Sequence, residues 1–390
     1  SNRAEENRLR EDLRDLKDSL PDEVRKAILK LEAEHSTRRT WVWARLGRAP
    51  LVMALKSLVD LAQLTAEPLG GGSVMEIAEA YVDRGWKADR AVLDALATVQ
   101  QQHDVDAVQN ALLPLYEQWL QREAEKFQQA IQQAPTAYVP SPAPVTDPGT
   151  CIVFADALRY DVGQRLVAAL NERDWHCTSA WGLAALPTVT DTAKPAVSPA
   201  HDGIQGSTTP SITPVSKTTG TRLTAEVLRR LLQAQGWQTL SSDELGDPTG
   251  RAWTEAGAID SCGHQYGWRI AHHVRNEVRL LADRAESLLE HGWKQIVFIT
   301  DHGWLMLPGG LPKADMPIHL TELRKGRCAV LKTGAQTDQP TVPWHWNPHI
   351  RIAVAPGIRC YEAGKEYEHG GISPQECVAP IITVTPKVVP

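Results

Sequence analysis

The sequence predicts an all-α region followed by an α/β region whose sheet is mostly parallel and covered by helices on both faces. Three observations carry this. Through residues 3–133 apolar side chains recur at three- and four-residue spacing, the period of an amphipathic helix. Between Ala134 and Gly149 the five prolines 135, 140, 142, 144 and 148 forbid helix and favour an extended, semi-rigid connection. From Cys151 onward, short continuous apolar runs alternate with helical segments, and strands apolar on both sides belong inside a parallel sheet.

In the first region, Leu9, Leu13, Leu16, Leu20, Val24, Ile28 and Leu31 form one stripe. A break at Gly70-Gly71-Gly72 follows Pro68, and the helical period resumes over 74–82 and 91–131. Residues 1–133 are therefore expected to be a helical domain, 134–149 a linker and 150–390 the α/β domain. Within the last, strands are expected at 151–155, 177–185, 295–300, 328–331 and 350–355, and helices at 162–172, 224–235 and 268–291. Ser373 and Glu376 have the spacing of a capping box that opens a last short helix.

Composition narrows the function classes. The 42% apolar and 23% charged content is that of a globular protein, and no stretch approaches the roughly 20 apolar residues that span a bilayer. The expected location is cytoplasmic, with no membrane partner. The chain opens on Ser1, already inside a helical pattern, as a fragment of a longer protein or an N-terminally trimmed one would. Six scattered cysteines without Cys-x-x-Cys spacing indicate neither a zinc knuckle nor a disulfide framework. Net charge is −6, with 18 Lys and Arg against 22 Asp and Glu in residues 1–133 and 23 against 25 beyond, so bulk charge favours no polyanion.

The chemistry is concentrated at strand ends. Asp301-His302 follows the apolar run 296–300, and Asp156 follows 151–155; ligands of parallel sheets gather at such carboxyl ends. A single Asp there most often caps the next turn. Two of them, joined by Asp260 and His264 in a Gly-rich segment expected to be a loop and by His369 before two glycines, make three Asp and three His, the inventory of a two-metal phosphoryl-transfer site. Thr188, Thr190 and Thr192, entering a short helix, offer a nucleophile, since a bound cation lowers the pKa of a hydroxyl. Without the acidic and imidazole groups the same segment reads as a Thr-rich capped loop.

Taken in order, Phe154-Ala-Asp156-Ala-Leu-Arg-Tyr-Asp161, Leu186-Pro-Thr-Val-Thr190, Ile259-Asp260-Ser-Cys-Gly-His264, Ile299-Thr-Asp301-His302-Gly303 and His369-Gly-Gly-Ile-Ser-Pro-Gln-Glu376 resemble the successive motifs of the PglZ domain. That domain is a member of the alkaline phosphatase superfamily and a component of BREX bacteriophage-defence systems. The resemblance runs from about residue 151 onward and leaves residues 1–133 without a motif. It implies one metal site of Asp156, Asp301 and His302 with Thr190 as nucleophile, and a second of Asp260, His264 and His369, the ions about 4 Å apart. Zinc suits this ligand mix best, with manganese or magnesium as alternatives. The implied activity is phosphoric ester hydrolysis, as a phosphodiesterase or nuclease, with nucleic acid a candidate substrate and other defence proteins docking on the helical domain. The rival reading is a non-catalytic scaffold on a phosphatase-like fold. No Cys/Ser-x-Pro-x-Arg pattern of a sulfatase occurs.

Other residues carry less. Arg159, Lys194 and Lys313 could steady phosphate oxygens, although basic residues near loops are usually solvated. Asp161 could back up Asp156 or cap a helix. His272 and His273 fall on a helical pattern, Pro348 breaks the helix that would align His345 with His349, and the aromatic pair Trp344 and Trp346 reads as packing rather than base stacking.

Overall fold

A computed structural model describes residues 1–387. The helical region contains α1 (Asn2–Arg14), α2 (Pro21–His35), α3 (Pro50–Leu64), α4 (Val74–Ala80), α5 (Trp86–Ala97) and the long α6 (Gln102–Gln133). The expected stripe is its core: Leu9, Leu13, Val24 and Ile28 are fully buried, whereas Leu20, the last residue before Pro21 opens α2, is 67% exposed. Ser73 and Glu76 form a capping box that starts α4 just after the triple glycine.

Residues 134–149 run extended apart from one turn at Pro135–Ala137. They are stitched to the α/β region, since Ser141 N–H donates to Leu183 O at 2.9 Å and Tyr138 Oη to Ala184 O at 2.7 Å.

The main sheet has six strands: β1 (Thr150–Phe154), β2 (Trp175–Leu183), β3 (Gln238–Leu240), β4 (Arg251–Glu255), β5 (Gln295–Ile299) and β6 (Val378–Pro386), in the order β2-β6-β5-β1-β4-β3. β1 pairs in parallel with β4 and β5, and β3 with β4; β6 alone runs against its neighbours β2 and β5. Alternate side chains serve two cores. Cys151, Val153, Ile296 and Phe298 join the core shared with α7 (Tyr160–Glu172), while Ile152, Phe154, Val297 and Ile299 face the other core, which includes Leu228 and Leu232 of the helix Ala225–Ala234, expected at 224–235. This two-sided burial is why both strands read as unbroken apolar runs.

A smaller antiparallel sheet of Thr321–Lys325, Cys328–Leu331, Thr341–Trp344 and Asn347–Val354 lies beyond. The expected helix at 268–291 begins with a 3-10 turn, Gly267–His272, before a regular helix over Val274–Glu290. One apolar core runs from Leu9 through α6 into the α/β region. Gln128 of α6 rivets that junction: its buried amide donates to Ala355 O, Gly357 O and Ile372 O at 3.0–3.3 Å and accepts from Gly357 N–H at 2.9 Å. No helix among the described residues is long and apolar enough to cross a membrane.

Candidate metal centre

Strand register brings the first group together. Phe154 and Ile299 are partners in the parallel β1–β5 pair, so Asp156 and Asp301, each two residues further, emerge side by side at the carboxyl edge. Asp301 and His302 are fully buried. His302 Nε2 lies 3.5 Å from Asp301 Oδ2, 3.9 Å from Asp156 Oδ1 and 3.2 Å from Thr190 Oγ1. Its Nδ1 donates to Gly303 O at 3.0 Å, which fixes the tautomer and leaves the Nε2 lone pair facing the carboxylates.

The second group is built differently. Asp260 and His264 are one turn apart on the helix Ile259–Tyr266, so both project from one helical face. The loop expected there is a helix because its glycine has a packing duty. A Cβ on Gly263 would sit inside the Tyr367 ring, and only a bare Cα lets Tyr367 lie flat and donate from Oη to Asp260 Oδ1 at 3.1 Å. His264 Nε2 and His369 Nε2 are 3.2 Å apart, and each is 3.5 Å from Asp260 Oδ1. His369 Nδ1 donates to Thr188 O at 2.9 Å, so it too presents a lone pair at Nε2.

The two triads adjoin, with the His302 and His369 rings stacked 4.0 Å apart at 13°. Burial pushes the Asp156 and Asp301 carboxyls up, Asp156 also through the charge of Asp301, and Asp156 Oδ1 and Asp301 Oδ2 are buried without a hydrogen-bond partner. Burial first, and then the repulsion a protonated His302 would exert, lower His369 to about 4, keeping it neutral. Burial alone would raise Asp260, but His369, His302, His264 and Tyr367 together hold it below the usual carboxylate range.

These residues fit divalent cations. With metal–ligand bonds of about 2.0–2.1 Å, two ligands at a tetrahedral angle lie about 3.3 Å apart, and most of the separations above fall near that value. Within each triad the ligand atoms all lie within 4.8 Å of one another. Unpartnered buried carboxylate oxygens are costly unless paired or metal-bound.

Of the three threonines, Thr188 and Thr192 are fully buried and their hydroxyls are committed. Thr188 donates to Gly371 O at 2.7 Å and Thr192 to Ile212 O at 2.8 Å. Thr190, the first residue of its helix, alone turns its hydroxyl toward the triads. Lys194, one turn on, reaches the same edge, where its ammonium pairs with Glu255 at 2.7 Å and lies 4.7 Å from the Phe154 ring centroid. Arg159 and Asp161 are instead a fully buried ion pair at 2.6 Å, which removes the phosphate-steadying role and the backing of Asp156 considered for them. Lys313 pairs with Asp315 in solvent. His273 stacks on Tyr266, His272 meets the Trp268 ring edge-on, and His345 packs beside Trp346.

Sequence reasoning missed the supports. Besides Tyr367, the buried Arg327–Glu376 pair, 2.8 Å apart, holds the His369 loop: Glu376 Oε1 accepts from Gly371 N–H at 2.8 Å, and a Cβ on Gly371 would strike the Arg327 guanidinium. Tyr367, two residues before His369, shared its strand-like alternation, but nothing in the sequence points Arg327 at Glu376.

A parallel sheet with two adjoining His and Asp triads on its carboxyl edge has the form of an alkaline phosphatase-like domain. The chain belongs to the PglZ family: the model of the BREX system PglZ alkaline phosphatase-like domain matches residues 143–384. BREX is a defence system of several proteins. Among solved structures, the chain is similar to murine ectonucleotide pyrophosphatase/phosphodiesterase 5, at 10% identity and a TM-score of 0.39 over 60% of this chain and 87% of that one. No curated protein matches the chain in sequence.

Proposed function

We propose that this chain is a divalent-metal-dependent phosphoric ester hydrolase, acting on phosphodiesters and in phage defence as a nuclease. The observation that supports it most is the junction of the triads: one ligand of each, His302 and His369, stack ring on ring, and of the three threonines Thr190 turns its hydroxyl toward them. Asp156, Asp301 and His302 would hold one ion, and Asp260, His264 and His369 the other, zinc first, manganese or magnesium next. Such ions, when bound, supply Lewis-acid stabilisation of the phosphoryl oxygens and acidify a hydroxyl.

The chain's own residues do the rest. Thr190 Oγ1 attacks phosphorus as its proton passes to solvent, and the ester oxygen leaves with the P–O bonding pair and takes up a proton from solvent; water then adds to the same phosphorus, breaking its bond to Oγ1, which regains a proton as the water gives one up. Gly303 O and Thr188 O keep His302 and His369 in their lone-pair-forward tautomers throughout. Lys194, by exchanging its Glu255 partner, would neutralise a phosphoryl oxygen.

The test is turnover of a chromogenic phosphodiester and monoester, with and without added Zn²⁺ or Mn²⁺. Metal-dependent cleavage of the diester is expected. Bound metal without turnover of either ester would replace this reading by the scaffold, a phosphatase-like platform for the other defence proteins.

A further inference from the structure

The loops that carry Asp156 and His302 are clamped to one another by residues that have no place in the two triads. Arg159, fully buried, stacks its guanidinium over the Trp304 ring at 3.6 Å, and Trp304 Nε1 donates to Ala157 O at 3.0 Å. Ala157 holds a left-handed φ of 57°, which turns its N–H to Asp301 Oδ1 at 3.3 Å. Leu158 N–H donates to Thr300 Oγ1 at 2.9 Å. Ala157, Leu158, Arg159 and Trp304 therefore bind the loop after β1 to the loop after β5.

The other side of this clamp belongs to the helical region. Asp89 of α5 is fully buried, and it joins the clamp through Tyr81, whose ring packs against Tyr160, the residue next to Arg159. Two buried phenols from neighbouring helical segments hold Asp89, Tyr81 Oη at 2.7 Å and Tyr116 Oη at 2.6 Å. Tyr160, next to Arg159, packs against Tyr81 and Trp86 with ring centroids 6.3 and 6.2 Å apart. Asp161 answers the Arg159 charge with two hydrogen bonds, and the packing of Tyr160 makes the backbone that carries Arg159 depend on helices far away in sequence.

We infer that Asp89, held by Tyr81 and Tyr116, is a positioning residue that sets the Asp156, Asp301 and His302 triad through Arg159 and Trp304. The helical region is then part of the metal centre as well as a surface for partners. The inference rests on the proposed function for its consequence and on the clamp for its geometry.

The test compares the full chain with Asp89→Asn, which keeps size but removes the charge, with Tyr81→Phe as a milder variant should the first fold poorly. Val24→Ala, a core change in α2, controls for general destabilisation. Hydrogen exchange is read on peptides covering 155–160 and 300–306, and on 259–266 as reference. Asp89→Asn should speed exchange in the first two about tenfold and leave the third as in the wild type, with a smaller shift of the same pattern in Tyr81→Phe. Titration with Zn²⁺ alone should show one of two affinities weakened roughly 10–100-fold, the usual cost of losing an outer support. Unchanged exchange in both variants, equal weakening of both affinities, or the same pattern in Val24→Ala overturns the inference. A wild-type chain that takes up no Zn²⁺ sinks the two-ion reading instead, and the exchange comparison still decides this one.

Discussion

At the scale of single residues, the three threonines separate by what their hydroxyls already do. Thr190→Ala should lower diester turnover by about 10³-fold or more with little change in melting temperature, and Thr190→Ser should keep part of it. Thr188→Ala and Thr192→Ala should instead cost stability, about 1–3 kcal/mol each, because each strands a buried carbonyl. Kinetics beside thermal melts distinguish the two outcomes. Tyr367→Phe should weaken the site of Asp260, His264 and His369 by roughly 10–100-fold in metal affinity while Thr190 chemistry at saturating metal survives; a titration followed by assay checks it. The sequence could offer Asp156, Asp301, His302 and His369 as candidates because strand ends and a Gly-flanked His are local signals. Tyr367, Arg327 and Asp89 were not, since each acts through a contact set by tertiary packing.

At the scale of elements, what decided Ile259–Tyr266 was a neighbour. A glycine inside the helix and another just past it argue against helix on propensity, yet Gly263 is where Tyr367 must pass and Gly267, at φ 56°, ends the helix in a conformation that suits glycine. Gly263→Ala should therefore lower stability despite its better helix propensity, and it should impair binding at Asp260 and His264; circular dichroism melts with metal titration test both. Glu376→Gln should be harsher. It leaves the Arg327 charge buried without a partner, at about 3–5 kcal/mol, and frees the His369 loop. The unbroken apolar strands were readable because their faces are both covered, but the 3-10 turn before Val274 was not, since its apolar spacing passes for the same helix.

At the scale of the whole molecule, buried acid sets the response to pH. Burial raises Asp89 to about 6, with Asp161 adding repulsion and Arg159 opposing it. The folded state thus binds this proton more tightly than the unfolded chain, whose Asp titrates near 3.9. The resulting contribution to stability is complete below that lower value and is lost as pH rises through about 6, on the order of 3 kcal/mol in all. Asp89→Asn should flatten the stability profile between about pH 4 and 6, measured by denaturant unfolding. Divalent metal should raise the melting temperature more at pH 7.5 than at pH 5, since protons compete for the same carboxyls and imidazoles. The succession of a helical region and a mostly parallel α/β region could be read in advance; the shared core and Gln128 could not, because side chains over two hundred positions apart have no common sequence period. The position of β6 has a consequence for synthesis. Its neighbours β2 and β5 leave the ribosome long before it does, so the nascent chain must keep two raw sheet edges apart until residues 378–386 emerge, and premature termination in that interval would release a sticky, half-zipped product.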